Sequence, residues 1–191
     1  MEEQSTASQP SPVDLAVSRV AGALQALGPD CSVQAHAAYV EAVVPVSTLE
    51  EAARILKTDL GYVLLSMVTA IDLPESIEVV YLAYALDHAN GVLLKTSLPR
   101  EELPGCPTLT GVWRGAEFQE REVYDLMGVN FLGHPDMTRI LTEDDFPGHP
   151  LRKDFSIEPD YVLMRHLRFG VEGQLTPDAE SEPANEGHRP R

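Results

Sequence analysis

The stretch IEVVYLAYALDHANGVLLKTSL, residues 77–98, decides the fold. Its first half is apolar on both alternating faces. Ile77, Val79, Tyr81 and Ala83 share one face, and Val80, Leu82, Tyr84 and Leu86 the other. A strand of that kind is buried on both sides. Asn90-Gly91 is a strong short hairpin signal, since both residues accept the positive φ of a tight turn. Residues 92–98 then return as a second strand, with Lys95 and Ser97 on its wetter face.

Upstream, the apolar period first fits helices and then changes. Ser11-Pro12 reads as a helix start. Val13, Val17, Val20, Leu24 and Leu27 step by four and three along one helical face until Gly28-Pro29 ends it. From Tyr39 the period is two, with Val40, Ala42, Val44 and Val46 on one face of a strand. Ser47 and Glu50 have the spacing of a capping box. They precede a second amphipathic helix through Leu49, Ala52, Ala53 and Leu56, ended near Gly61. Residues 62–71 make a strand, and Leu73-Pro74-Glu75-Ser76 turns the chain into 77–87. The expected architecture is an α+β domain over 13–128. It has a four-stranded mixed or antiparallel sheet with helices mainly on one face. The other face either meets another protein or is covered by a third helix.

That third helix is EFQEREVYDLMG (117–128) and its approach, roughly 114–127. Glu117–Arg121 and Arg121–Asp125 are i,i+4 pairs of opposite charge, and Gly128 suits the position after the last turn. Beyond it, GHPDMTRILTEDDFPGHPLRKDF (133–155) lacks any helical or strand period, and its prolines exclude both. Yet it is too apolar for a solvated linker. Residues 129–170 therefore read as an extended arm that packs on its own domain or on a partner. Phe146 and Phe155, aromatic and flanked by charge, are its best candidate anchors. Residues 1–12 and 171–191 are polar and without anchors, and read as flexible ends.

Composition narrows the function. The formal net charge of −16 repels phosphate backbones and anionic membranes, so nucleic acid is not an expected partner. Cys31 and Cys106 are alone and fit neither a cluster, a zinc site nor a disulfide pattern. The start, MEEQSTASQP, resembles neither a secretory nor a transit leader. The longest apolar run, YVLLSMVTAI, is about half of the ~20 residues a spanning helix needs.

Catalytic chemistry finds little support. Glu120 and Glu122 point to different sides of a helix. Glu122 and Asp125 share a face, and a solvated helix edge is the ordinary reading of such a pair. His134 and His149, with Asp136, Glu143, Asp144 and Asp145, offer metal-binding atoms, but the histidines are 15 positions apart in irregular chain. Gly-His-Pro marks a turn more simply. Nucleotide-binding glycine motifs and nucleophile elbows are absent from the sequence. Arg152 and Lys153 beside Asp154 read as an ion-paired docking patch.

Two stretches, EREVYDLMGVNFLGHPDMTRIL (120–141) and PGHPLRKDF (147–155), resemble the signature of the respiratory-chain NADH dehydrogenase 30 kDa subunit family. This family includes the C-type subunit of bacterial NADH-quinone oxidoreductase (complex I). Trp113, Ala116, Glu117 and Phe118 fit the approach to that motif. Thr138 departs from it, since the family usually has a basic residue before the arginine that is here Arg139. The resemblance implies a non-catalytic docking subunit in the peripheral, cytoplasm-facing arm of the complex. It would carry no cofactor and reach the membrane only through its partners. FMN and iron–sulfur clusters would reside in other subunits. The arm would clasp the 49 kDa-type chain, which is the D-type subunit of the bacterial enzyme, beside cluster-bearing neighbours. The signature and interface residues carried over are Glu120, Arg121, Glu122, Tyr124, Asp125, Gly128, His134, Pro135, Arg139, Phe146, Gly148, His149, Pro150, Arg152, Lys153, Asp154 and Phe155. Related hydrogenase, F420-type and ferredoxin-dependent complexes contain similar subunits. A stand-alone metal-dependent enzyme using His134 and His149 is the competing reading.

Overall fold

The computed structural model describes residues 12–37, 39–86 and 90–156. The chain divides into two compact units after Lys153. The first carries every element named below; of the second, only residues 154–156 are described. The flexible-end readings at 1–11 and 171–191, and the arm residues 157–170, fall outside the described residues.

Five strands form the main sheet where four were expected. Their order is β1 (Ser32–Ala35), β2 (Tyr39–Val43), β5 (Gly91–Pro99), β4 (Ser76–Tyr84), β3 (Leu64–Asp72). The missed strand, β1, is a short edge piece whose side chains are mostly exposed, so it leaves no alternating pattern to read. β2 runs parallel to β5, and the other pairs are antiparallel. Tyr84 lies opposite Gly91, so residues 85–90 connect β4 to β5 where a two-residue turn was expected. Gly91 serves a different purpose from the one assigned to it: a Cβ there would stand 2.9 Å from the Tyr84 ring.

One sheet face carries Val40, Ala42, Ile77, Val79, Tyr81, Ala83, Val92, Leu94 and Leu98, all buried. Against it pack α1 (Pro12–Leu24), α2 (Leu49–Thr58) and α3 (Ala116–Met127). Of α1's expected apolar face, Val20 and Leu24 are buried and Val13, Val17 and Leu27 half-buried; Ala16 joins the core beside them, and a short 3₁₀ turn follows to Leu27. α2 buries Leu49, Ala52, Ala53 and Leu56 as read, but without the capping box. Thr48 is its N-cap, and the Thr48 hydroxyl turns back to the Pro45 carbonyl at 3.1 Å. The opposite sheet face stays partly open, with Leu82, Tyr84 and Leu93 half-buried and Leu64, Met67 and Ile71 exposed. α3 does not cover it, because the Tyr81 hydroxyl of the closed face reaches Glu120 of α3.

Two further strands, β6 (Gly105–Pro107) and β7 (Asn130–Leu132), pair in parallel beside α3. Val129 and Phe131, read from sequence as the start of the arm, are thereby core residues. Trp113 closes the same end of the core, its indole N–H donating to the Tyr62 carbonyl at 3.0 Å.

Candidate functional site

The residues singled out by sequence converge on α3 and the segment that follows it. A helix ends with four carbonyls that its own N–H groups do not reach. Here each of the last four has a donor. The Gly128 N–H donates to the Tyr124 carbonyl at 2.9 Å. His149 Nδ1 lies 2.9 Å from the Asp125 carbonyl. The Leu151 N–H reaches the Leu126 carbonyl at 3.0 Å, and Arg152 Nε reaches that of Met127 at 2.8 Å. A segment without helix or strand thus satisfies its polar groups by capping a neighbouring helix.

Gly128 makes the approach possible. It is left-handed, with φ +72, and a Cβ on it would stand 2.5 Å from His149 Cδ2. The imidazole rests against bare backbone, 6.0 Å from the Tyr124 ring in an edge-on arrangement. A carbonyl only accepts, so Nδ1 of His149 carries the proton. For His134 the reverse holds: Nδ1 accepts from the Asp136 N–H at 3.1 Å, and Nε2 donates to the Glu117 carbonyl at 2.9 Å.

Asp125 is the centre of the arrangement and is fully buried. Its Oδ2 accepts from three consecutive backbone N–H groups, Ile140 at 3.1 Å, Leu141 at 2.7 Å and Thr142 at 2.9 Å. Its Oδ1 accepts from Arg139 Nη1 at 2.8 Å and from the Thr142 hydroxyl at 2.5 Å. Burial alone would raise its pKa. The Thr142 hydroxyl, the Thr142 and Leu141 N–H groups and Arg139 outweigh burial and hold the carboxyl well below the usual range. Arg139 also donates to the Gly148 carbonyl at 3.0 Å, tying the second Gly-His-Pro to Asp125.

These contacts correct the helix-surface reading. Asp125 does not pair with Arg121 and is no solvated edge. Arg121 turns to the Thr138 carbonyl and hydroxyl at 3.0 and 2.6 Å, with Asp136 at 3.5 Å. Glu120 is also fully buried, whereas Glu122 is exposed. Glu120 accepts from the Thr108 hydroxyl at 2.5 Å, the Leu109 N–H at 2.8 Å and the Tyr81 hydroxyl at 3.1 Å. Burial raises its pKa and those three donors oppose the rise. Cys106 stands in the same pocket, its thiol pushed up to about 12 by burial and by Glu120. Asp72, unremarked in the sequence, anchors the far end of the segment. Arg100 grips it with two nitrogens at 2.7 and 3.0 Å, and the Lys153 N–H donates to it at 2.9 Å. The Arg100 fork, with the Lys153 N–H and against the cost of burial, lowers its pKa to about 2.

The remaining predicted residues divide by exposure. Pro135 and Asp154 are exposed, and Pro150 is half-buried. Phe146 and Phe155 are half-buried, so the arm's most exposed apolar groups lie elsewhere. They are Leu132, Leu141 and Leu151, with Ile140 less so, and Phe118 stands exposed on α3. The Phe146 carbonyl lies 3.4 Å from Arg139 Nη2.

Chemically, this is a structural network: Asp72, Glu120 and Asp125 are held by backbone N–H groups and by arginine, threonine and tyrosine side chains, and His134 and His149 by backbone groups. Among the described residues, no group of three or more His, Cys, Asp or Glu is placed to hold a metal ion. Nor is any helix among them long and apolar enough to cross a membrane. One pH effect follows. Burial lowers the pKa of His149 from 6.5, so the folded chain favours the neutral ring. Its contribution is complete above about pH 6.5 and is lost as pH falls from there toward the folded pKa. His149→Gln should therefore flatten the stability–pH curve between pH 7 and 5, by at most about 1.4 kcal/mol per pH unit. Urea melts of both proteins across that range check it, and parallel curves would count against it.

Residues 42–161 match the family described as respiratory-chain NADH dehydrogenase, 30 kDa subunit. The C-type subunit of NADH-quinone oxidoreductase from Moorella thermoacetica is 43% identical over 139 residues, covering 72% of this chain and 93% of that protein. The C/D subunit of NADH-quinone oxidoreductase from Phocaeicola vulgatus is 43% identical over 81 residues, which is 42% of this chain and 16% of that protein. Among solved structures, a chain of the membrane-bound sulfane sulfur reductase, an archaeal respiratory membrane complex, superposes with a TM-score of 0.66 at 27% identity. The match covers 80% of this chain and 90% of that one.

Proposed function

Because the chain belongs to the 30 kDa subunit family of respiratory-chain NADH dehydrogenase, we propose that it is a docking subunit of an NADH-quinone oxidoreductase, clasping the 49 kDa-type chain. The observation that carries this reading is the division of side chains along 134–153. Polar groups turn inward to cap α3 and to meet Asp125 and Asp72, while Ile140, Leu141 and Leu151 are left facing water. A segment that spends amide, imidazole and guanidinium donors on the helix while leaving these three apolar side chains out has an apolar surface to bury against a neighbour. The relative whose name joins C and D supports the 49 kDa-type, or D-type, chain as that neighbour. On this reading the chain holds no cofactor and has no active site of its own. FMN and the iron–sulfur clusters belong to other subunits, and the chain meets the membrane only through them. The likeness to a chain of a sulfane sulfur reductase supports a role that does not depend on which electron acceptor the complex reduces.

Leu141 and Leu151 are each 60% exposed. Covering roughly 100 Å² of each at about 25 cal/mol per Å² contributes about 2.5 kcal/mol per residue. The double variant Leu141→Ser, Leu151→Ser should therefore lose at least about tenfold in affinity for a co-expressed 49 kDa-type chain. The melting temperature of the isolated protein should stay within a few degrees. Undiminished co-purification of that variant would refute the docking role.

A further inference from the structure

We infer that Asp125 is a positioning residue which holds the docking loop in its binding shape before any partner arrives. This rests on the docking role proposed above and concerns the same surface. Three consecutive N–H groups, at Ile140, Leu141 and Thr142, converge on one carboxylate oxygen. Consecutive amides aimed at one anion form a concave nest, and a chain wound that way sends its side chains outward. Leu141 at 60% exposure and Ile140 at 38% are the result. A loop free to choose would turn these two inward, so the carboxylate is what keeps them in water. Arg139 locks the winding from the other side, bridging Asp125 Oδ1 to the Gly148 carbonyl. Loop, anion and clamp all belong to the first compact unit of the chain. The bound conformation thus exists in the free protein, and association avoids the entropy of ordering the loop.

Hydrogen exchange on the full-length isolated chain, and on its complex with a 49 kDa-type chain, tests this. The Ile140, Leu141 and Thr142 amides should already be protected at least about a hundredfold in the isolated chain, rising less than tenfold further in the complex. Free exchange in the isolated chain, with protection appearing only on binding, would overturn the inference. That result would leave the docking role standing, whereas protected amides with no binding would sink the docking role and, with it, the claim that the held shape is a binding shape. Thr142→Val removes one donor to Asp125 without touching Leu141 or Ile140. It should lower the competent fraction of the loop and slow association by at least about threefold, with dissociation unchanged. An unchanged association rate would also overturn the inference.

Discussion

Asp125→Ala should destabilise the isolated chain by about 3–5 kcal/mol, a large share of the total stability of a domain this size. The magnitude follows from what the substitution leaves behind. Three backbone N–H groups, the Thr142 hydroxyl and the Arg139 guanidinium all point at the carboxylate. Orphaning partly buried donors costs more than the net worth of the bonds they made, and Arg139, left without its carboxylate, adds most. Asp125→Asn should fall between, since an amide keeps one accepting oxygen but loses the charge that Arg139 needs. The same carboxyl gives the pH dependence a definite sign. Its folded pKa is depressed, as is that of Asp72 at about 2. Their stabilisation is complete above about pH 4, the ordinary carboxylate range, and is lost as pH falls through the folded values. Denaturant unfolding followed on the buried Trp113 measures all of this. An Asp125→Ala variant within about 1 kcal/mol of the parent would show that the loop is dispensable to the domain.

What the sequence revealed depended on whether a pattern was local. Alternation along 77–98 and helical spacing at Val20–Leu24 and Leu49–Leu56 survive into the structure, because one strand or one helix face carries the whole signal. β1 left no such trace, being an edge strand exposed along most of its length. For the site, the stretch from Glu120 to Phe155 was visible as a motif, but the placement of its residues was not. A helix pattern cannot say that Asp125 prefers a loop 14 to 17 residues away over Arg121 one turn back, nor that Glu120 meets Tyr81 across the core. Asp72 was invisible for the same reason: its partners, Arg100 and Lys153, are 28 and 81 residues distant. Leu141 looked like one apolar residue among many until the amides at 140–142 fixed which way it faces.

Gly128→Ala should displace the second Gly-His-Pro from the helix and destabilise the chain by about 2 kcal/mol or more, through two separable effects. A left-handed backbone costs a residue with a Cβ roughly 1–2 kcal/mol, and φ is +72 here. The second effect is steric. The new methyl group would stand 2.5 Å from His149 Cδ2 and 2.8 Å from Nε2. The ring must leave, and with it goes the bond from Nδ1 to the Asp125 carbonyl. The amide of Leu151 and the guanidinium of Arg152, two and three residues further on, also cap this helix end, so a displaced His149 loosens them too. A double-mutant cycle separates the effects. In a His149→Ala background the steric penalty disappears and only the backbone cost remains, so Gly128→Ala should then cost clearly less than in the parent. Equal costs in both backgrounds would mean that the glycine is needed for its φ alone, and that the histidine does not close on the helix in solution.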